Sequence, residues 1–474
     1  MSKDLLKGST NKALLSMSVP ISIGMLSTIL FQVIDTYFVG QLGPEPLAAL
    51  SFASTVYFLL VGLFIGFSVA LSIMVAKAFG AKELDKLKRI LLLSLLLSIS
   101  LTILISFLGI FSLDPLFSFL GADENTLPHV AAYMNVLYLG MPILAYGIIG
   151  GGALRATGNV KSPEIVFGIA GIINALLDYE FIFGAGPFPQ LGIQGVALGT
   201  VISWIFIFLA MTVLLLRDRL LVLPRFTSSF FELPIFKEIA QLGLPSIATQ
   251  LVGPATLMFI TFMLGKEGAE AVAAFGVAGR IETLMLIGVL GVSTAATPFI
   301  AQNLGAKQHL RIDEAIVFGG KASTYLGIFL FVFLIALAGP IAGLFSEDIQ
   351  IISYTKTYFY LVAISYAFYS LYLISSSIFN GLQLPVNSLK IILVKSFGFT
   401  LPLVLIGSLW GVEGIFAGLS LSNVMGGLYA GQQIRKQLKK VNSPLSKRNP
   451  WQDYQSDLYS LLKGLGAILR RVKT

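Results

Sequence analysis

The chain has 474 residues, of which 56% are apolar and 12% are charged, and its mean hydropathy is +0.86. A soluble protein of this length would carry far more charge, so these values exclude that class and indicate a membrane protein. The sequence contains no Cys, which excludes disulfides, thiolate metal sites and thiol nucleophiles.

Apolar segments of about 20 residues match the roughly 30 Å hydrocarbon core of a bilayer and predict membrane-spanning helices. The first segment lacks the features of a signal peptide, so we expect it to be retained. Together they predict an all-α membrane protein with twelve spans. In chain order the spans cover residues 14–39, 50–76, 90–112, 130–151, 163–183, 195–216, 239–264, 273–300, 314–338, 351–379, 388–408 and 412–434.

Lys and Arg occur on alternate connections between these spans. This distribution follows the positive-inside rule, and it predicts a multi-pass protein of the cell inner membrane with both termini cytoplasmic. The formal charge of +8 therefore does not indicate nucleic-acid binding. Residues 453–474 have apolar side chains at helical spacing and predict an amphipathic helix on the membrane surface. The predicted cytoplasmic cations include Lys12, Lys82, Arg217, Lys237, Lys307, Lys390 and Lys395.

An internal repeat sets the predicted architecture. Residues 20–82 align with residues 245–307 without a gap, which pairs Pro20 with Pro245 and Gly80 with Gly305. Because each copy has an even number of spans, the copies share an orientation, and we expect two pseudo-twofold-related six-helix lobes with substrate between them. Alternating access is the default mechanism for such a pair. The predicted divisions are an N-lobe (1–216), a linker (217–238), a C-lobe (239–434) and a basic cytoplasmic tail (435–474).

Acidic residues inside spans are functional candidates, because a charge there costs roughly 2.5–3.5 kcal/mol. Asp35 and Asp178 lie near the outer ends of two spans that run in the same direction, so their carboxyls reach a similar depth. Asn174 precedes Asp178 by one helical turn and shares its face. Tyr133 and Thr200 enter the same layer from the opposite direction.

This oxygen-rich cluster suits either a proton shared between two carboxyls or a hard cation such as Na⁺, and the carboxyl pair favours H⁺. An Asp near a helix end could instead only reach the membrane interface, and that alternative stays open. The residue aligned with Asp35 in the second copy is Ile260, so cation handling is expected in the N-lobe.

Four further residues are candidates within the spans. Pro20 removes a backbone hydrogen bond and predicts a bend in the first helix. Gln32, Arg280 and Glu282 are candidates for the lining of the cavity between the lobes. No cofactor is expected.

These residues resemble the multidrug and toxic compound extrusion (MATE) family over about residues 5–435. The motifs are Pro20 with DTYFVG at 35–40, GQLG at 40–43, LRATG at 154–158, NALLD at 174–178 and GIQGVALGT at 192–200. The resemblance implies antiport of amphipathic, often cationic, organic drugs against H⁺ or Na⁺. It also implies a cation site formed by Asp35, Asn174, Asp178, Tyr133 and Thr200, with Na⁺ as an alternative ion at the first three, and a first helix that bends at Pro20.

The absence of acidic residues from the seventh and tenth spans resembles the DinF-type branch of this family. The sequence thus favours a monomeric, secondary active multidrug exporter in contact with membrane lipid. A flippase for lipid-linked oligosaccharide of a related fold is the alternative, although several cavity cations would be expected and Arg280 stands nearly alone. An intramembrane enzyme is a remote alternative, since the sequence has neither Gly-x-Ser-x-Gly nor His-Glu-x-x-His.

Overall fold

The computed structural model describes residues 5–184, 189–221 and 233–447. These residues are helical almost throughout and no strand occurs among them. The predicted all-α fold class is therefore confirmed. The helices extend beyond the predicted spans at most ends, because hydropathy marks only the apolar middle of a helix, whereas the backbone stays helical into the polar surroundings.

The first half of the chain forms six long helices and one short one. Each long helix is long and apolar enough to cross a membrane. α5 lies at the centre of this lobe, where it packs against α2, α3 and α7. The helices are α1 (Thr10–Gly40), α2 (Pro44–Gly80), α3 (Leu84–Phe111), the short α4 (Leu113–Phe119), α5 (Leu127–Ala156), α6 (Lys161–Phe183) and α7 (Gly192–Arg217).

The second half repeats this arrangement, with α12 packed against α9, α10 and α15. A 3-10 turn at Ala363–Ser365 joins α11 to α12 within one span, and a π-helical segment at Val394–Thr400 joins α13 to α14. The helices are α8 (Leu233–Gly265), α9 (Ala269–Gly305), α10 (His309–Phe345), α11 (Ile349–Val362), α12 (Tyr366–Gly381), α13 (Pro385–Leu393), α14 (Leu401–Gly407) and α15 (Gly411–Lys440).

The apolar stretch Pro385–Lys440 is helical almost without interruption, but it contains two spans. Gly411 adopts φ +68°, a conformation that favours glycine, and the chain reverses there. α14 then packs antiparallel to α15, with Gly407 against Gly414 and Leu403 against Gly418. Counted this way, the described residues form the twelve predicted spans.

Several predicted divisions fall partly outside the described residues. α7 ends at Arg217 and α8 begins at Leu233, so the C-terminal part of the predicted linker (217–238) is helical. Residues 222–232 of the linker are not described. The predicted tail (435–474) begins inside α15, which continues to Lys440. The predicted amphipathic helix at 453–474 lies outside the described residues. These divisions stay predictions.

The two lobes contact each other through pairs of residues that the repeat relates. Gly80 of α2 lies against the backbone carbonyl of Gln302, and Gly305 of α9 lies against the backbone carbonyl of Lys77. Neither position has room for a side chain, which is why small residues stand there. Lys77 and Gln302 are themselves equivalent at the same offset of the repeat. The contact is thus reciprocal, as a pseudo-twofold axis between α2 and α9 requires.

Hydrogen bonds between the lobes occur at the end of the bundle that carries the predicted cytoplasmic loops, which we call the basic end. Lys77 Nζ donates to Gln383 Oε1 (2.5 Å), and Gln302 Nε2 donates to the carbonyl oxygen of Ala156 (2.5 Å). Thr10 Oγ1 donates to Glu314 Oε2 (2.5 Å). The start of α1 is therefore tied to the opposite lobe.

Substitution of Gly80 by Ala is expected to weaken closure of the basic end, because the added methyl group would collide with the carbonyl of Gln302. The natural chain has no Cys, so Ser18→Cys supplies a single thiol at a residue that is 4% exposed between the lobes. Maleimide should label this thiol several-fold faster in Gly80→Ala. Gly168→Ala is the control, since nothing lies within 4 Å of a methyl group there. Equal labelling rates of Ser18→Cys alone, with Gly80→Ala and with Gly168→Ala would contradict the prediction.

Candidate functional site

Asp35 of α1 and Asp178 of α6 lie together inside the N-terminal lobe. Their carboxyls are in hydrogen-bonding contact, and Asp178 is 0% exposed. Oδ1 of Asp35 and Oδ2 of Asp178 are buried and accept no hydrogen bond from an N–H or O–H group of the described residues. Two ionised carboxylates have no donor between them, so this contact requires one shared proton or a bound cation.

Asn174 and Thr200 complete one side of this pair. Asn174 Nδ2 lies 3.3 Å from both Asp178 Oδ1 and Thr200 Oγ1, and Thr200 Oγ1 in turn donates to the carbonyl of Val196 (2.9 Å). α6 and α7 approach closely here because Gly199 has no side chain. A methyl group at residue 199 would lie 2.8 Å from Asp178 Oδ1.

Two tyrosines surround Asp35 from other helices. Tyr133 of α5 is 9% exposed and lies within electrostatic range of both carboxyls, as Tyr57 of α2 does for Asp35. Tyr57 also stacks on Trp204, with ring centroids 6.2 Å apart. The structure therefore brings together Asp35, Asn174, Asp178, Tyr133 and Thr200, and it adds Tyr57. The sequence analysis missed Tyr57 because only charged residues were sought within that span.

The C-terminal lobe holds a second buried polar cluster. Glu282 of α9 accepts hydrogen bonds from the phenols of Tyr358 and Tyr366, the latter at 3.1 Å. Lys395 lies nearby, 8% exposed, with Nζ 5.1 Å from the centroid of the Tyr369 ring. The prediction of Lys395 as a cytoplasmic cation is wrong, because Lys395 lies in the π-helical segment inside the span predicted at 388–408 and its side chain is buried in the lobe.

The repeat relates these two clusters. An offset of 225 residues pairs Tyr57 with Glu282 and Tyr133 with Tyr358. Each lobe thus contains an acid beside tyrosines in the same layer. The acids come from non-equivalent helices, α1 and α6 in one lobe and α9 in the other. The residue aligned with Asp35 is Ile260, so an alignment of the acids alone does not reveal this equivalence.

A third buried pair lies nearer the basic end. Arg155 at the end of α5 donates to Glu164 of α6 at 2.9 Å, with side chains 20% and 12% exposed. The carboxylate of Glu164 lies against Gly24 of α1, where a side chain would not fit. The sequence analysis overlooked Glu164 because it lies next to the predicted start of a span.

A cleft between the lobes opens toward the end opposite the basic end. In the basic half, α1 meets α9 at Ser22 and Gly291, and α2 meets α8 at Gly66 and Ile247. Eleven residues, or about three turns, restore the same helix face and advance roughly 16 Å along the axis. At that distance toward the opposite end, each of the four helices presents an exposed residue. These residues are Val33, Thr55, Met258 and Arg280.

The remaining predicted residues are placed as follows. Arg280 is exposed on the cleft face of α9, whereas Glu282 lies inside the C-terminal lobe and is no more than partly exposed. Gln32 is exposed on α1. Pro20 lies inside α1, which is one continuous helix from Thr10 to Gly40. Bending at Pro20 stays a prediction.

Comparison with known families decides the identity of this scaffold. The MatE family model matches residues 20–180 and 245–406, one copy in each half and well over half of the chain together. The chain belongs to the MATE family of transporters. It is therefore a multi-pass membrane transporter rather than an enzyme, and the resemblance seen in the sequence is confirmed at the level of the family.

Curated relatives of this MATE transporter differ in what they are named for. The chain is 34% identical over 444 residues to the FAD transporter of Shewanella oneidensis, an alignment that covers 93% of this chain and 98% of that protein. It is 26% identical to the probable multidrug resistance protein NorM of Thermotoga maritima, over 73% of this chain and 74% of that one.

Solved structures show the same fold. The Vibrio cholerae MATE transporter VcmN in its bent form superposes with a TM-score of 0.86 at 25% identity, covering 91% of this chain and 98% of that one. An outward-facing MATE family transporter superposes with a TM-score of 0.86 at 24% identity, covering 93% and 99%.

Gly199→Ala is expected to impair coupled transport, because the methyl group would displace the carboxyl of Asp178 from its contact with Asn174. Overpacking of this kind typically costs 1–3 kcal/mol, so we expect a loss of about tenfold in the rate of gradient-driven dye export from reconstituted vesicles. Gly168→Ala is the matched control, because Gly168 lies on α6, the helix of Asp178, and nothing lies within 4 Å of a methyl group there. A rate equal to that of wild type would show that the position of Asp178 does not matter.

Proposed function

We propose that this protein is a secondary active exporter of small organic compounds, driven by H⁺ that enters through the Asp35 and Asp178 pair. The observation that supports this most strongly is the contact between two buried carboxyls that have no cationic side chain beside them among the described residues. Within the described residues, Glu282 has Lys395 nearby, whereas neither Asp35 nor Asp178 has a Lys, Arg or His partner. The missing positive charge must come from outside the chain, which is what a coupling ion supplies.

A proton suits this site better than Na⁺. Asn174 directs its amide nitrogen toward Asp178 and Thr200, as the hydrogen bonds are assigned, so fewer oxygens face a common point than Na⁺ would require. A proton between the two carboxyls needs no further ligands. Na⁺ held by Asp35, Asn174 and Asp178 is the alternative, and it would require the amide of Asn174 to turn over.

Coupling to substrate would act through α1. Asp35 faces α6 and the lobe interior, whereas Val33, two residues earlier, is exposed on the opposite side of the same helix. Loss of the shared proton leaves two adjacent negative charges, and the resulting repulsion moves α1 relative to α6. Pro20 provides a weak point for such a bend. VcmN of Vibrio cholerae has been solved in a bent form and another MATE protein in a straight conformation.

The position of the cleft supports alternating access as the mechanism. The lobes are joined at the basic end and separated at the opposite end, and the basic loops support a cytoplasmic location of the joined end. Opening the basic end would require Thr10 to leave Glu314 and Lys77 to leave Gln383. The protein would then lie in the inner membrane with both chain termini on the cytoplasmic side.

The names of relatives support two substrate classes. Relatives named as multidrug proteins favour amphipathic or cationic drugs, whereas the relative with 34% identity is named an FAD transporter and favours an aromatic anion. Arg280 on the cleft face is the observation that favours the anionic class. The cavity of a lipid-linked oligosaccharide flippase would be expected to contain several cations, and of the four cleft-face residues only Arg280 is charged.

Neutralising either acid of the N-lobe pair should abolish coupling. In everted vesicles with an imposed proton gradient, we expect dye efflux by Asp35→Asn and by Asp178→Asn to fall to the background without gradient, because the amide cannot exchange a proton. Na⁺ in the buffer should leave wild-type efflux unchanged. Glu282→Gln is the matched control in the other lobe and should have a milder effect. Equal losses in all three variants would argue against an N-lobe coupling site.

Joining the lobes at the basic end should stop transport. Thr10→Cys with Glu314→Cys places two thiols where Thr10 and Glu314 are hydrogen-bonded, in a chain without natural Cys. A cleavable, short bifunctional thiol reagent should reduce gradient-driven efflux to background, and reduction of the link should restore it. Each single-Cys protein treated with the same reagent is the control. Full activity of the linked protein would contradict alternating access through this end.

A further inference from the structure

Arg280 occupies an unusual position for a charged residue. It lies eleven residues before Gly291, hence on the face of α9 that meets α1 of the other lobe, and about 10 Å from the middle of this 37-residue helix. That depth is within the hydrocarbon core, where a lipid-facing Arg would cost roughly 2.5–3.5 kcal/mol. Facing the cleft, its exposed guanidinium can remain in water.

Arg280 also has no partner inside the protein. No hydrogen bond or ion pair joins it to any residue in the part of the chain that the structure describes. Glu282 is close in sequence but lies roughly 200° around the helix, where the phenols of Tyr358 and Tyr366 donate to it. The positive charge of Arg280 is therefore uncompensated on the wall of the cleft.

The residues facing Arg280 indicate which kind of solute the cleft would bind. Thr55 is the repeat equivalent of Arg280, and the apolar Leu59, one turn further along the same face of α2, is 52% exposed. One lobe thus offers a guanidinium where the other offers a hydroxyl. A solute with an apolar or aromatic body and one anionic group matches such a surface, because low-dielectric walls strengthen a single charge contact.

We propose that Arg280 binds the phosphate group of an exported aromatic solute in the cleft. The chemical class is that of flavin nucleotides, and the proposal rests on the exporter function proposed above. A planar guanidinium donates two parallel hydrogen bonds to a phosphate, which a Lys or a hydroxyl cannot reproduce. The phosphate of a lipid headgroup shares this chemistry, so the test separates soluble from lipid phosphate.

Binding of three flavins to the purified protein in detergent tests the assignment. FAD and flavin mononucleotide carry phosphate, whereas riboflavin has the same ring system without it, and flavin fluorescence reports all three. We expect wild type to bind both nucleotides about tenfold or more tightly than riboflavin. Arg280→Gln should weaken the nucleotides to the level of riboflavin and leave riboflavin unchanged, and Arg280→Lys should restore part of the difference.

Lys266→Gln is the matched control, because it removes one positive charge from the loop at the mouth of the cleft, where Lys266 lies over the Phe262 ring. It should leave the preference for nucleotides intact. An equal loss of riboflavin and nucleotides in Arg280→Gln would indicate a structural role and overturn the proposal. So would absence of nucleotide binding by wild type, or a preference that Arg280→Gln does not change.

Two further arms separate the remaining explanations. In nanodiscs, phosphatidylglycerol in place of phosphatidylcholine should not abolish FAD binding; displacement of FAD that depends on Arg280 would assign the site to lipid and overturn the solute proposal. Asp35→Asn should still bind FAD while losing gradient-driven efflux. If wild type binds FAD through Arg280 but exports neither flavin nor dye under a proton gradient, the proposed function fails and the Arg280 site stands.

Discussion

The contact between the carboxyls of Asp35 and Asp178 is the constraint on which the rest of the N-terminal lobe depends. Two acids from separate helices do not approach in an apolar surrounding unless packing holds them there. Gly171 leaves room for the ring of Phe31 between α1 and α6, and Gly199 brings α7 against Asp178. The closest approach of three helices is therefore set at a point that is stable only when a positive charge is present.

The two lobes share a scaffold but differ in where that positive charge comes from. In the C-terminal lobe, Glu282 is held by two phenols with Lys395 nearby, so the charge is covalently part of the chain. In the N-terminal lobe the equivalent layer contains Asp35 and Asp178 with Tyr57 and Tyr133, and no cation of the described residues is in contact with the acids. A permanent cation favours one arrangement of its lobe, whereas an exchangeable one allows two. Under the proposed function, the pseudo-symmetry thus relates a lobe with a permanent cation to a lobe that responds to an exchangeable one.

The sequence predicted the architecture well because two long-range patterns carry it. The internal repeat relates the two halves, and the alternation of basic loops extends along the chain, so an error at one span does not change the predicted number or orientation of the others. The site was predicted where formal charge marks it, at Asp35 and Asp178. It was incomplete where the partner is neutral, as with Tyr57, or where a charged residue in the first turns of a predicted span was not considered as part of the lobe interior, as with Lys395 and Glu164. Those positions depend on helix rotation and register, which a hydropathy profile does not contain.

A spacing of two residues connects the interior of a lobe to the cleft. Residues two apart on a helix point roughly 200° from each other, and three helices use this spacing in the same layer: Val33 with Asp35, Thr55 with Tyr57, and Arg280 with Glu282. Under the proposed function, α1 separates the carboxyl pair from its exposed opposite side, and α9 separates the Glu282 cluster from Arg280. In that scheme the proton and the solute bind on different sides of a helix, and movement of the helix couples them. In that scheme residues such as Arg280 can vary without disturbing Asp35 and Asp178, so one fold can serve different solutes.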